Sequence, residues 1–378
     1  MLGELDDDLV TIHGGPHDGR KFRQIELEVE FADEDLVDAI LRRFSAAGAR
    51  LDDGGPKLAR ALDVPSSGRA GIGGMPIEKP STVGDVVQAS IAKALNRILD
   101  HDYRLRIDSE GQPAHSIHQT RVASRRLRSD LKTFRDLLDP IWVRNVRGDL
   151  KWIGSVLGEV RDADVLSKRF AEYQADGSVD SEGILLLQNL LDKQRNVAAA
   201  RLATALTSGR YLLLLDKLHA AAQVPPFVAS GLSGPSGHRS QRRKPTKELP
   251  RLVRRPWKKL RRQVRQVGSD PTNEEFHQIR IRAKHLRYAA EAAQPVIGKP
   301  AGDTAKAAEQ VQSLLGSHQD AVVAQRWLRE HARTGPPAAA FVAGQLTSGH
   351  RRSADEVRRL WPGAWRELKS KKTRRWLL

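Results

Sequence analysis

The sequence predicts a mainly α-helical protein: a duplicated unit of about four helices, its two copies packed around a pseudo-twofold axis, behind a short N-terminal strand and helix. Three observations carry that expectation. From Ser81 onward apolar residues recur with the helical spacing, and no convincing strand period is found. An eleven-residue motif occurs twice, 159 residues apart. The period-two pattern occurs near the N-terminus, where Ile25, Leu27, Val29 and Phe31 alternate with Gln24, Glu26, Glu28 and Glu30.

In chain order, the first element is that half-buried strand, over 22–31. Asp33 then caps a helix reaching Gly48, with Leu36, Val37, Ile40, Leu41 and Phe44 on one face. From Asp52 to Pro80 the composition turns to Gly, Pro and Ser and reads as a linker, 63–80 at its core. Its Gly71–Gly74 run is no phosphate loop, since no strand precedes it and no Gly-Lys-Ser/Thr follows. Helices are expected at 83–102, 115–139, 141–157, 161–175, 182–208 and 210–223, then at 250–267, 272–293, 301–316, 319–333 and in two C-terminal stretches. Between the groups, Pro225-Pro226 and the basic run Arg239–Lys244 mark a loop over 224–249. The halves are thus 81–223 and 250–370, followed by a basic tail, 371–378.

Charge limits the partners. The 378 residues hold 63 Lys and Arg against 46 Asp and Glu, a net charge of +17. Residues 1–52 contribute −7, so the rest carries +24 and calls for an anionic partner: nucleic acid, acidic membrane or a polyanionic metabolite. Aromatics are only 5% of the chain and rarely sit among the basic clusters, which argues against base-stacking single-strand recognition. There is no cysteine, so disulfides, thiolate nucleophiles and Cys-ligated metals are excluded, as a reducing cytoplasm allows. Aliphatic runs such as Leu212–Leu215 are four residues long, far below the ~18 to 20 of a membrane span. The acidic first residues do not read as a cleavable signal.

The repeated motif holds the chemistry. His118–Arg128 aligns without gaps with His277–Arg287 and shares five of eleven residues; Leu157-Gly158 with Asp162-Ala163 recurs as Leu315-Gly316 with Asp320-Ala321. On a helical wheel of ~100° per residue, Arg121, Arg125, Arg128 and Lys132 form one ridge beside His118, opposite Thr120, Ser124, Leu127, Leu131, Phe134 and Leu138. The second copy places His277, Arg280, Lys284 and Arg287 opposite Ile279, Ala283, Leu286 and Ala290. Solvated helix faces normally mix signs, because like charges one turn apart repel. Here His115–Arg135 holds six Lys and Arg and one acid, Asp130, and Phe276–Tyr288 holds four and none. A ligand is expected to supply the missing negative charge.

Arginine presents several donors in a fixed plane and stays charged, while lysine adds a point charge, so rows one turn apart suit the successive phosphates of a linear polyanion. His118 and His277 are candidates to donate to phosphate oxygens, against the alternative of hydrogen-bonded structural histidines. His115 and His118 give only two nitrogen ligands, too few for zinc, and no metal or cofactor site is expected. Arg144, Arg147 and Lys151 extend the surface from the next helix, and Lys258, Arg261, Arg262 and Arg265 do so ahead of the second motif. Asp162 and Asp320 read as N-caps. Trp361, Trp365 and Leu368 read as a face packed on the bundle rather than on a membrane surface.

The two motifs, with Leu157–Val165 and His318–Ala321, resemble the CHAD domain, the conserved histidine α-helical domain, over roughly residues 81–370. That resemblance implies two four-helix bundles related by a pseudo-twofold, a basic central cleft that binds inorganic polyphosphate, and association with polyphosphate granules and their proteins. The contacts it implies are His118, Arg121, Arg125, Arg128, His277, Arg280, Lys284 and Arg287. Residues 1–62 are similar to the C-terminal end of a CYTH domain, the triphosphate tunnel fold, with Phe22–Glu30 as a late strand and Lys57–Leu62 as the closing segment. In a full tunnel Glu26 and Glu28 would share a metal, but the Glu-x-Glu-x-Lys signature and most strands are missing, so hydrolysis is not expected. The segment reads as a remnant or as a chain that begins upstream. The expected function is non-catalytic polyphosphate binding in the cytoplasm. The alternatives are a metal-dependent triphosphatase and a sequence-independent nucleic-acid binder.

Overall fold

Two units make up the chain, Met1–Ile72 and Gly73–Leu378. The computed structural model describes residues 3–12, 19–29, 34–50, 80–107, 114–175, 177, 179–228, 242–268, 270–332 and 335–377. Asp33, the Lys57–Leu62 segment, the Gly71–Gly74 run and most of the basic loop lie outside them, as do the side chains of Glu26 and Glu28.

In the first unit β1 (Gly3–Thr11) pairs antiparallel with β2 (Lys21–Val29), with Gly3 opposite Val29 and Thr11 opposite Lys21, and α1 (Glu34–Ala46) follows. The expected strand is present, but β1 was not anticipated. Its Glu4, Asp6, Asp7 and Asp8 depress strand propensity, and the ladder compensates: Arg23 Nε donates to Asp7 Oδ1 at 2.7 Å across the pair.

The second unit is helical. The first half contains α2 (Val83–Ile107), α3 (Ala114–Thr133), α4 (Pro140–Ala175), α5 (Ser181–Thr207) and α6 (Gly209–Gln223). The second contains α7 (Pro245–Gln266), α8 (Asn273–Ile297), α9 (Lys299–Ala332), α10 (Pro337–Leu368) and α11 (Lys371–Arg374). Ala114 and Asn273 open the motif helices, and Pro140 and Lys299 the next pair, each pair 159 residues apart. Caps set the starts of α2 and α8. Thr272 Oγ1 accepts from Glu275 N at 3.2 Å while the Glu275 carboxylate accepts from Thr272 N, and Thr82 with Asp85 repeats the device at α2.

The expected pairs 141–157 with 161–175, and 301–316 with 319–333, are each one continuous helix, α4 and α9. Gly158 and Gly316 disfavour a helix interior by roughly 0.5–1 kcal/mol. Burial of Leu157, Val160, Leu315 and Ala321 on either side carries the helices through. Asp162 and Asp320 are therefore mid-helix residues and cap nothing.

Within each half successive helices pack together, and between the halves α3 meets α8 and α5 meets α10. Each of these is an element touching its own repeat, as a pseudo-twofold axis requires. The wheel's apolar stripes are buried: Thr120, Ser124, Leu127, Leu131, Phe134 and Leu138 in α3 and the residues after it, Ile279, Ala283, Leu286 and Ala290 in α8. The apolar residues divide into two clusters that both draw on the two halves. The larger joins α2, α3 and α6 to α7 and α8; the smaller joins the distal ends of α4, α5, α9 and α10 through Phe170, Leu187, Leu191, Leu328 and Val342. Trp361 packs edge-on to Phe276 at 5.6 Å and Trp365 stacks on Trp257 at 5.8 Å, so the C-terminal aromatic face belongs to the core as expected. Among the described residues no helix is long and apolar enough to cross a membrane.

Candidate functional site

Where α3 and α8 meet α4, α5 and α9, the protein forms an open cavity of about 880 Å³. His118, Arg121, Arg125 and Arg280 line it, and so do Arg161, Arg169, Lys193 and Arg201. Two of the motif arginines lie over glycines of the next helix. The Arg121 guanidinium lies across Gly158, its Nη2 3.4 Å from the point a Cβ would occupy, and the Arg280 Nε lies 3.5 Å from the same point on Gly316. The two repeats thus use one arrangement twice, a motif arginine laid over a helical glycine. In both arginines the Nε is buried without a hydrogen-bond partner. A buried donor left unpaired costs about 1–3 kcal/mol, so a ligand oxygen there is favoured.

Carboxylates enter from the neighbouring helices. Asp162 pairs with Arg121 at 3.2 Å, Asp320 with Arg169 at 3.8 Å and Glu159 with Arg201 at 3.3 Å. The repeat breaks here: Asp320 turns to Arg169 of the other half. Arg125 and its repeat Lys284 have no carboxylate partner among the described residues. Burial, then Arg121, Arg280 and Arg128, bring Arg125 down to about 10. Burial, then Arg125, Arg280, Arg121 and Arg287, bring Lys284 down to about 6. Lys284 Nζ also lies over the Tyr288 ring at 5.7 Å. Partial burial, then Arg161, His115 and Arg121, hold His118 below its ordinary value. The site is a concentration of positive charge that its own acids offset only in part.

The remaining sequence-predicted residues fall elsewhere. His277 Nδ1 meets Gln319 Oε1 at 2.9 Å, a structural hydrogen bond. Arg287 is held by Glu291 at 2.6 Å and Glu309 at 2.9 Å. Arg147 Nε donates to the Arg128 carbonyl at 3.2 Å. Lys132 and Arg147 stand in a second basic cluster with Lys259, Arg282 and His285, where burial and these cations push His285 down to about 3. Lys151, Arg144, Lys258, Arg261, Arg262 and Arg265 are exposed to solvent, away from the cavity lining.

Arg161, Arg169, Lys193 and Arg201 were not singled out from the sequence. A signal was there: Arg161, Val165 and Arg169 share one helix face at four-residue spacing, as do Lys193, Val197 and Arg201. Among the described residues no group of three or more His, Asp or Glu is placed to hold a metal ion.

The CHAD domain family model matches residues 89–329. Two uncharacterized proteins of Mycobacterium tuberculosis, MT2285 of strain CDC 1551 and Rv2226 of strain H37Rv, are each 30% identical over 362 residues, which is 92% of this chain and 65% of theirs. The chain therefore spans about two thirds of the length of these relatives. The crystal structure of the CHAD domain from the plant Ricinus communis is similar at 26% identity and a TM-score of 0.54, over 80% of this chain and 94% of that one. PptA from Streptomyces chartreusis shares the fold at 21% identity and a TM-score of 0.59, over 76% of this chain and all of that one. The duplicated motif, the paired helical halves and the family match agree: the chain belongs to the CHAD domain family.

Proposed function

We propose that the protein binds inorganic polyphosphate without catalysis, in the cavity lined by His118, Arg121, Arg125 and Arg280, with Lys284 beside it, and that it thereby joins polyphosphate or its granules. The supporting observation is the pair of buried, unpartnered Nε donors of Arg121 and Arg280, repeated by two halves of one chain at the edge of a single cavity. Guanidinium groups held in fixed positions match phosphate oxygens along a linear chain. His118, exposed at the rim, is assigned as a further donor, and Arg128 and Arg287 as flanking charge. Lys132 and Arg147, in the second basic cluster, and the exposed Lys151 add general positive charge, while His277, held by Gln319, is not assigned a contact.

Diffuse attraction to nucleic acid is the competing account, since net charge alone permits it. Titration with long-chain polyphosphate and with duplex DNA at matched phosphate and ~150 mM salt, where surface charge is screened beyond ~8 Å, separates the two. Selective binding of polyphosphate is expected. Equal or tighter binding of DNA overturns the proposal.

A further inference from the structure

The cavity lining mixes cations with apolar side chains. Val165, Leu166, Leu191, Val197, Val323 and Trp327 line it, with Val165 one turn from Arg161 and Arg169 and Val197 one turn from Lys193 and Arg201. Val197 is 54% exposed, an uncovered valine. The indole of Trp327 is fixed in place. Its Nε1 donates to Gln194 Oε1 at 2.9 Å, the His331 ring stacks on it at 4.3 Å with 23° between planes, and Phe170 packs at 5.7 Å.

An inorganic phosphate chain offers only oxygens at its surface and gains nothing from such a wall, whereas a ring system would bury apolar area there. The volume is that of a site for a compact ligand, within the ~300–1,000 Å³ typical of small-molecule pockets. The Gln194 amide is taken up by Trp327 and His331, so it is the Gln319 amide N–H group, its Oε1 meeting His277, that can face a heterocycle edge and favours one over an alkyl chain.

We propose that this cavity is a site for nucleoside polyphosphates, with the phosphates on Arg121, Arg125 and Arg280 and the base against the wall formed by Val197 and Trp327. The proposal rests on the reading of the arginines as a phosphate site and adds the class of ligand that also covers the apolar part of the lining. Charge works against it in a useful way: tripolyphosphate carries more negative charge than ATP, so attraction alone favours tripolyphosphate. Any preference for ATP must come from the nucleoside. Contact between a base and an aromatic or apolar wall is worth on the order of tenfold or more in affinity.

The test is calorimetric titration of the full chain with ATP, tripolyphosphate and long-chain polyphosphate at ~150 mM salt. ATP is expected to bind about tenfold tighter than tripolyphosphate. Val197→Asn, at an exposed position, and Trp327→Leu should each erode that advantage while leaving tripolyphosphate affinity unchanged; Val197→Asn keeps the test valid should Trp327→Leu impair folding. ATP binding no tighter than tripolyphosphate, with long-chain polyphosphate still bound, overturns the nucleotide proposal alone. Failure of all three ligands to bind overturns the phosphate reading beneath it as well.

Discussion

Arg121 lies flat across Gly158, with its Nη2 3.4 Å from where a side chain there would begin, and Arg280 repeats the arrangement over Gly316. A methyl group at that distance is in ordinary contact; a branched side chain is not. Gly158→Leu combined with Gly316→Leu should therefore displace both guanidinium groups and weaken polyphosphate binding about tenfold or more, since a hydrogen bond to a charged group contributes about 1.5–3 kcal/mol. Gly158→Ala should bind almost normally. A calorimetric comparison of the two checks this, with unchanged helical circular dichroism as the control.

Asp162 is an internal competitor for Arg121 rather than a helix cap. Its side chain is 63% exposed, so the ion pair is screened and contributes under about 1 kcal/mol to stability. Asp162→Asn should leave the melting temperature within a few degrees of the parent while raising affinity for polyphosphate several-fold, because the cavity gains one net positive charge. A cap would behave the opposite way, with a loss of about 1 kcal/mol and no gain in affinity. Thermal denaturation and titration of the same variant discriminate.

Lys284 couples binding to protons. Above about pH 6 burial and the neighbouring arginines hold it neutral, whereas in the unfolded chain it stays charged up to the ordinary lysine range. The unfolded state therefore binds more protons across that window, and this residue makes stability rise with pH from about 6 upward. A bound polyanion restores the ammonium form, so affinity should fall as pH rises above about 6. Titration at pH ~8 in buffers of different ionisation enthalpy should show uptake approaching one proton, abolished in Lys284→Arg, whose side chain retains its charge far higher. Binding without proton uptake would contradict this role.

Gly183 marks a close approach of α5 to α10. A Cβ there would stand 2.6 Å from Val342 Cγ2 and 2.9 Å from the Ala338 carbonyl carbon. Backbone cannot yield as a flexible side chain does, so Gly183→Ala should destabilise the protein by about 1–3 kcal/mol. Denaturant unfolding measures this; a neutral outcome would mean the helices separate at little cost.

How much of this was legible in the sequence follows from the range of the interactions. Helical periodicity is local, and the buried stripe of α3, from Thr120 to Leu131, and the matching stripe of α8 follow from it. The duplication was legible because two motifs kept nearly one spacing. Contacts between distant segments were not. The acids that meet Arg121 and Arg287 include Asp162 of α4 and Glu309 of α9, besides Glu291 four residues on in α8, so a count of charges over the motifs overstated their isolation. Gly158 and Gly316 looked like breaks because local propensity disfavours them, while the arginine that lies over each comes from about 36 residues earlier in the chain. The acidic strand β1 was hidden for the same reason, its stabilising partner Arg23 being 16 residues away.

The measurement that bears most directly on the central claim is polyphosphate titration of Arg121→Ala/Arg280→Ala against Lys371→Ala/Arg375→Ala at ~150 mM salt, two variants with the same net charge. With about 1.5–3 kcal/mol per charged hydrogen-bonding partner, the cavity variant should lose about 100-fold in affinity and the tail variant less than about threefold. Equal losses in the two would contradict a built site and leave only the general attraction of a basic protein for polyanions.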